Sequence, residues 1–191
     1  MVEALSLTSA ALHGEPWRLW TGHAVHYDFR HLALDGIATL PPIALMYRPH
    51  PPLRGTLSRK RERDLARDPS PRVSGERVAE GRVRGVDTWW LVAWAFIVAP
   101  LISIIILLTT PNVEYRGMSA LVVGLWILVP LQFIHDRSLA AAALLILCIT
   151  KLALEATTPF RLGFTPTPPL FLAHWSGALA GAVAFALTRL R

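Results

Sequence analysis

Two short motifs set one hydroxyl and one imidazole into otherwise apolar stretches: Gly117-Met118-Ser119-Ala120 and Ala173-His174-Trp175-Ser176-Gly177. A polar group at membrane depth is costly unless it is paired or used. A serine and a histidine that meet there are the minimum equipment for nucleophilic cleavage of a peptide bond. The imidazole takes the hydroxyl proton as the oxygen attacks the carbonyl. Gly117 lets backbone approach closely, and free amides at a helix start can stabilise an oxyanion. Gly177 and Gly181 form a Gly-x-x-x-Gly pair, widened by Ala173, Ser176 and Ala180, that lets another helix pack closely. A second account stands beside this one. Ser119 bonds back to its own helix, His174 is satisfied by a neighbouring carbonyl, and the glycines serve packing alone. Spacing leaves both open.

Other polar groups gather near these apolar stretches. His23, His26 and His31 precede or open a candidate helix, with Asp35 one turn beyond His31 on the same face. Histidines so grouped can bind zinc, but no His-Glu-x-x-His motif and no cysteine partner accompany them, so no metal or other cofactor is expected. They also suit a polar mouth that hydrogen-bonds an oxyanion and admits water. Asp35 at that depth is expected to pair with a histidine or stay protonated. Lys151 and Glu155, spaced i,i+4, form an ion pair on the simplest account; gripping a substrate segment is the other.

The elements that carry these groups are read as lipid-embedded helices. Of 191 residues, 53% are hydrophobic, and mean hydropathy is +0.42. The apolar residues come in blocks near the length that crosses a hydrocarbon core. The expected fold class is all-α, a single polytopic membrane bundle over residues 1–191. Its five visible spans are 28–47, 88–110, 117–135, 138–156 and 169–188. Pro41-Pro42 is expected to distort the first, and Pro100 and Pro130 to kink theirs. Residues 1–30, with Trp17, Arg18, Trp20, His23, His26 and Tyr27, suit a loop in the membrane interface. Residues 48–87 are basic and Pro-rich, an expected disordered cytoplasmic loop. The lone Cys148 excludes a disulfide framework.

The formal charge of +6 does not point to nucleic acid, because no aromatic stacking platform accompanies it. Its concentration between Arg48 and Arg84 marks a cytoplasmic side instead. That side sets the topology. The 117–135 and 169–188 spans run inward, which puts Ser119 and His174 at similar depth, both within roughly 10 Å of the outer surface. Thr109 to Arg116 and Thr157 to Pro168 are outer loops, and Arg116 and Arg161 depart from the charge rule. Residues 1–27 then lie outside, which calls for a further span ahead of Met1.

Taken in order, these residues resemble the rhomboid intramembrane serine proteases, in particular the small bacterial rhombosortase-like branch. Trp17-Arg18-Leu19-Trp20-Thr21 is similar to the family's Trp-Arg-x-x-Thr loop. His26-Tyr27-Asp28-Phe29-Arg30-His31-Leu32 is similar to its His-x-x-x-x-His-Leu. Gly117-Met118-Ser119 resembles its Gly-x-Ser, and Ala173-His174 with Gly177 and Gly181 its Ala-His-x-x-Gly-x-x-x-Gly. The resemblance implies Ser119 as nucleophile and His174 as general base. It implies that His31 donates to the oxyanion together with the Ser119 amide. It further implies a six-span core in a bacterial inner membrane. The partners it implies are the lipid bilayer and the transmembrane segment of a membrane-anchored substrate. Rhombosortase-like members are associated with surface proteins carrying a Gly-Gly-containing C-terminal anchor.

Three positions depart from the family pattern. Ala120 stands where Gly is frequent. Val123 stands where an aromatic residue or histidine braces the catalytic histidine. Asp35 stands where an amide is expected, and an ionised carboxylate there repels an oxyanion. Residues 36–87 fall outside the resemblance. Two rivals follow: an inactive relative that binds transmembrane segments without cutting them, and a small transporter with histidines along a polar path.

Overall fold

The computed structural model describes residues 3–47, 88–110, 114–134, 138–157 and 171–190. Two units divide the chain, residues 1–46 with 86–191, and residues 47–85. The described residues belong to the first, apart from Tyr47. The expected cytoplasmic loop 48–87 and the outer loop with Arg161 lie outside the described residues.

The first unit is a helical bundle. Helix α1 is Arg18–Ala24, α2 Phe29–Met46, α3 Thr88–Thr109, α4 Ser119–Phe133, α5 Leu139–Thr157 and α6 Phe171–Arg189. A 3-10 turn, Ser9–Leu12, precedes them. Among the described residues no strand forms, only one isolated antiparallel bridge between Leu7 and Tyr115. Among the described residues three helices are long and apolar enough to cross a membrane: Trp89–Thr109, Leu139–Thr157 and Phe171–Arg189. Their outward faces carry exposed Phe96, Ile97, Leu101, Leu108, Ile146, Leu147, Ile149, Leu179 and Leu187. So much contiguous apolar surface belongs against lipid rather than water, the mark of a membrane protein.

The two remaining expected spans differ in kind. Helix α4 has 15 residues and rises only roughly 22 Å. It is apolar on every side, because it sits at the centre of the bundle, packed against α6, α5, α2 and α3. Its buried residues include Ala120, Val122, Val123, Gly124, Ile127, Leu128 and Val129. Helix α2 runs unbroken from Phe29 to Met46 with Pro41 and Pro42 inside it. Pro100 and Pro130 likewise lie inside α3 and α4.

The tightest seam joins α4 to α6, and small residues make it. A Cβ on Gly177 would stand 1.9 Å from the Ala120 carbonyl oxygen, and one on Gly181 would stand 2.3 Å from that of Gly124. Backbone therefore meets backbone with no side chain between, as the Gly-x-x-x-Gly spacing predicts. Ala120 and Gly124, four apart on α4, supply the matching small surface. This seam fixes the depth of α6 against α4 at the level of Ser119.

The N-terminal loop is tied down by its own motif. Arg18 pairs with Glu15 and donates to the carbonyls of Glu3 (2.6 Å) and Ser6 (2.9 Å). Thr21 Oγ1 donates to the Leu5 carbonyl at 2.7 Å. Trp20 Nε1 donates to the Phe96 carbonyl on α3 at 2.8 Å. The Arg and Thr of the Trp-Arg-x-x-Thr loop thus satisfy carbonyls that no regular element covers.

Candidate active site

Ser119 opens α4, and the three residues before it are held from two directions. Gly117 has φ +121°, a conformation open to glycine and strained for other residues. Its N–H donates to the Gly22 carbonyl at 3.0 Å, which docks it to α1. A Cβ on Gly117 would stand 2.7 Å from His31 Cε1, so a side chain there would displace that ring. The Met118 N–H donates to Asp35 Oδ2 at 3.0 Å. Asp35 therefore serves the free amide of the helix cap, where a negative charge is favoured.

His174 lies near the start of α6 and is 5% exposed. Its Nε2 is 3.0 Å from Ser119 Oγ. Its Nδ1 is 2.8 Å from Glu155 Oε2 on α5. The other carboxylate oxygen, Oε1, accepts from Lys151 Nζ at 2.7 Å, and Lys151 Nζ lies 3.2 Å from His174 Nδ1. Nδ1 is nearer to the carboxylate than to the ammonium, and an ionised carboxylate can only accept, so the shorter contact assigns the hydrogen to Nδ1. Nε2 is then left with a lone pair facing the Ser119 hydroxyl. A hydroxyl, an imidazole and a carboxylate from three helices stand in line, which is the arrangement that activates a serine.

The polar mouth forms on the other side of Ser119. His26 Nε2 is 3.1 Å from Asp35 Oδ2, whereas His31 Nε2 is 3.8 Å away. Asp35 is expected to pair with a histidine or stay protonated, and it sits beside two, with His26, reaching in from before α2, the nearer. The rings of His26 and His31 meet edge to face at 5.2 Å, and Tyr27 stacks on His31 at 5.7 Å. Arg116 lies over the Tyr27 ring and pairs with Glu114, holding that carboxyl below its usual range. His31 Nδ1 is buried without a hydrogen-bond partner. His26, His31, Asp35 and Gly117 thus converge beside the serine.

His23 does not join them. Its Nε2 is 3.0 Å from the Ala99 carbonyl and 3.0 Å from Ser103 Oγ on α3. Burial pushes it down to about 4, against the upward pull of the Ala99 carbonyl. His26 and His31 share Asp35 while His23 has its own partners, and among the described residues no group of three His, Cys, Asp or Glu side chains is placed to hold a metal ion.

The spacing reads Lys151 and Glu155 as an ion pair, with gripping a substrate segment as the other account, and the ion pair forms. Glu155 is also shared with His174, a contact that the spacing does not announce. One signal pointed there: an ionisable side chain in a membrane helix usually faces the bundle interior and marks a functional site. Val123 packs with Ile127, Cys148, Leu152 and Ala178 rather than bracing His174. Ala120 lends its backbone to the seam with Gly177. Ser176 bonds back to the Leu172 carbonyl at 2.7 Å, the local bond that Ser119 does not make. Comparison of the chain with family models, curated proteins and solved structures finds no match.

Proposed function

We propose that this chain is a rhomboid-type intramembrane serine endopeptidase of the rhombosortase-like kind. It acts in a bacterial inner membrane on the anchors of membrane-bound proteins, near the periplasmic face. The observation that carries this reading is the 3.0 Å contact between Ser119 Oγ and His174 Nε2, made between two helices of an apolar bundle. The motif resemblance in the sequence supports it, as does the polar mouth beside the serine. Ser119 Oγ bonds to the scissile carbonyl carbon while its proton passes to His174 Nε2. The oxyanion that forms faces His31 and the Ser119 amide. Collapse breaks the C–N bond, and His174 returns the proton to the leaving amine. Water, deprotonated by the same imidazole, then releases the acyl group. A substrate helix must unwind before its carbonyl is reachable, so helix-breaking residues favour cleavage.

The test is labelling of the full chain in detergent with a fluorophosphonate, together with cleavage of a reporter transmembrane segment. Ser119→Ala and His174→Ala are each expected to abolish both while leaving membrane insertion intact. Cleavage near the wild-type rate in either variant contradicts the proposal. One observation favours a second reading, an inactive relative that only binds transmembrane segments. The Asp35 carboxylate occupies the Met118 amide and puts negative charge where an oxyanion would develop. That reading expects no labelling of wild-type Ser119.

A further inference from the structure

Glu155 is 7% exposed, accepts from His174 through one oxygen and from Lys151 through the other. Lys151 carries only donors. It claims one oxygen and so dictates which oxygen faces the histidine. Resting on the serine-hydrolase reading above, we propose that Glu155 is a positioning residue of the same site. It locks His174 in the Nδ1-protonated tautomer and stabilises the imidazolium, while Lys151 fixes the orientation of the carboxylate. The site is then a three-member relay across α4, α6 and α5, with a cation behind it.

The groups that bear on His174 come from each packed helix. Ser119 stands on α4, Glu155 and Lys151 on α5. His31 on α2 lies within electrostatic reach. Helix α3 also packs on α6 but carries no titratable side chain along Thr88–Thr109. Glu155 is therefore the anion nearest the imidazole, and removing its charge changes His174 more than any other substitution around it.

An isosteric change exposes the role of Lys151. In Glu155→Gln one oxygen remains. The Lys151 ammonium takes it, and the amide NH2 is left facing His174 Nδ1. That nitrogen must then accept, so Nε2 takes the hydrogen and has no lone pair for Ser119. Glu155→Gln is expected to slow fluorophosphonate labelling of Ser119 by about 10,000-fold, the scale of tautomer loss in a serine protease. Lys151→Met in the same chain frees the amide oxygen to turn to His174. The double variant is expected to regain at least about tenfold over Glu155→Gln. A residue that merely supported the fold would show further loss.

The reaction in this test is balanced: Oγ displaces fluoride at phosphorus, and its proton passes to His174. A second measurement stands without any catalysis. The 15N shifts of His174 in 15N-histidine protein, assigned through His174→Gln, distinguish the two tautomers. Wild type is expected Nδ1-protonated, Glu155→Gln Nε2-protonated, and the double variant Nδ1-protonated again. If wild type labels but Glu155→Gln labels within about threefold of it, or the tautomer does not change, the role of Glu155 is overturned and the hydrolase reading stands. If wild-type Ser119 does not label while the tautomers behave as stated, the hydrolase reading fails and the positioning by Glu155 stands.

Discussion

Ser119 is held from two sides by different means. Toward α6 the contact is backbone on backbone, with Gly177 and Gly181 against Ala120 and Gly124. Toward α2 and α1 it is a set of hydrogen bonds, through the side chains of Asp35 and His26 and through the Gly22 carbonyl. The outer face of α2 is open, with Phe29, Ile37 and Leu40 all well exposed. A backbone seam tolerates no added atom and has one geometry. A hydrogen-bonded side can exchange partners, so under the proposed function it is the side from which a substrate would enter. His174 is thus on the rigid side of the serine, and the cluster of His26, His31 and Asp35 is on the adaptable one.

The same substitution on the two sides should break this contrast most clearly. Gly177→Ala puts a Cβ where only 1.9 Å is free, so α6 must move away from α4. Loss of about 1–3 kcal/mol or more is expected, read as a lower unfolding midpoint in detergent, along with loss of Ser119 labelling. Gly36→Ala on α2 meets nothing within 4 Å. It is expected to leave labelling intact and to gain up to about 1 kcal/mol from helix propensity. Equal tolerance at both positions would mean that the seam is not what positions His174.

The loop side carries a pH dependence of its own. His23 is 4% exposed, and burial lowers it from 6.5 to about 4. Between these values the unfolded chain binds a proton that the folded chain refuses. The contribution of His23 is therefore complete above pH 6.5 and is lost as pH falls toward 4. It amounts to roughly 3 kcal/mol at most. The unfolding midpoint in detergent should fall across that window, and His23→Gln should flatten the fall. An identical slope in wild type and variant would remove His23 from the account.

Much of the bundle was legible because apolar blocks and Gly-x-x-x-Gly are local signals. The blocks gave α3, α5 and α6, and the glycine pair gave the seam at Gly177 and Gly181. The central position of α4 was less legible. Uniform apolarity has the same appearance whether lipid or protein surrounds a helix, and only its 15-residue length hints at the second. The contact of Ser119 with His174 was expected from matched depth along two helices. The partner of His174 was not, because Glu155 had an obvious neighbour in Lys151 at i+4. A local pair that satisfies both charges conceals a third member 19 residues away. Which histidine lies nearer Asp35 was likewise not legible, since the reach of His26 depends on the turn before α2 rather than on helical spacing.

Asp35 sharpens the contrast by the smallest step. One oxygen, Oδ2, accepts from both His26 Nε2 at 3.1 Å and the Met118 N–H at 3.0 Å. The carbonyl oxygen of asparagine can accept both bonds in the same place, so Asp35→Asn keeps the cap and removes the charge. If an oxyanion develops in this mouth, the carboxylate opposes it, and the neutral amide should speed Ser119 labelling a few-fold, about 1 kcal/mol of barrier. Asp35→Ala removes the cap as well and should lower stability by about 1 kcal/mol. It should also slow labelling, because the start of α4 loses its hold. The two variants therefore move the rate in opposite directions. Should Asp35→Asn slow labelling as much as Asp35→Ala, the carboxylate charge assists the chemistry, and the oxyanion forms away from the His26 and His31 side of the serine.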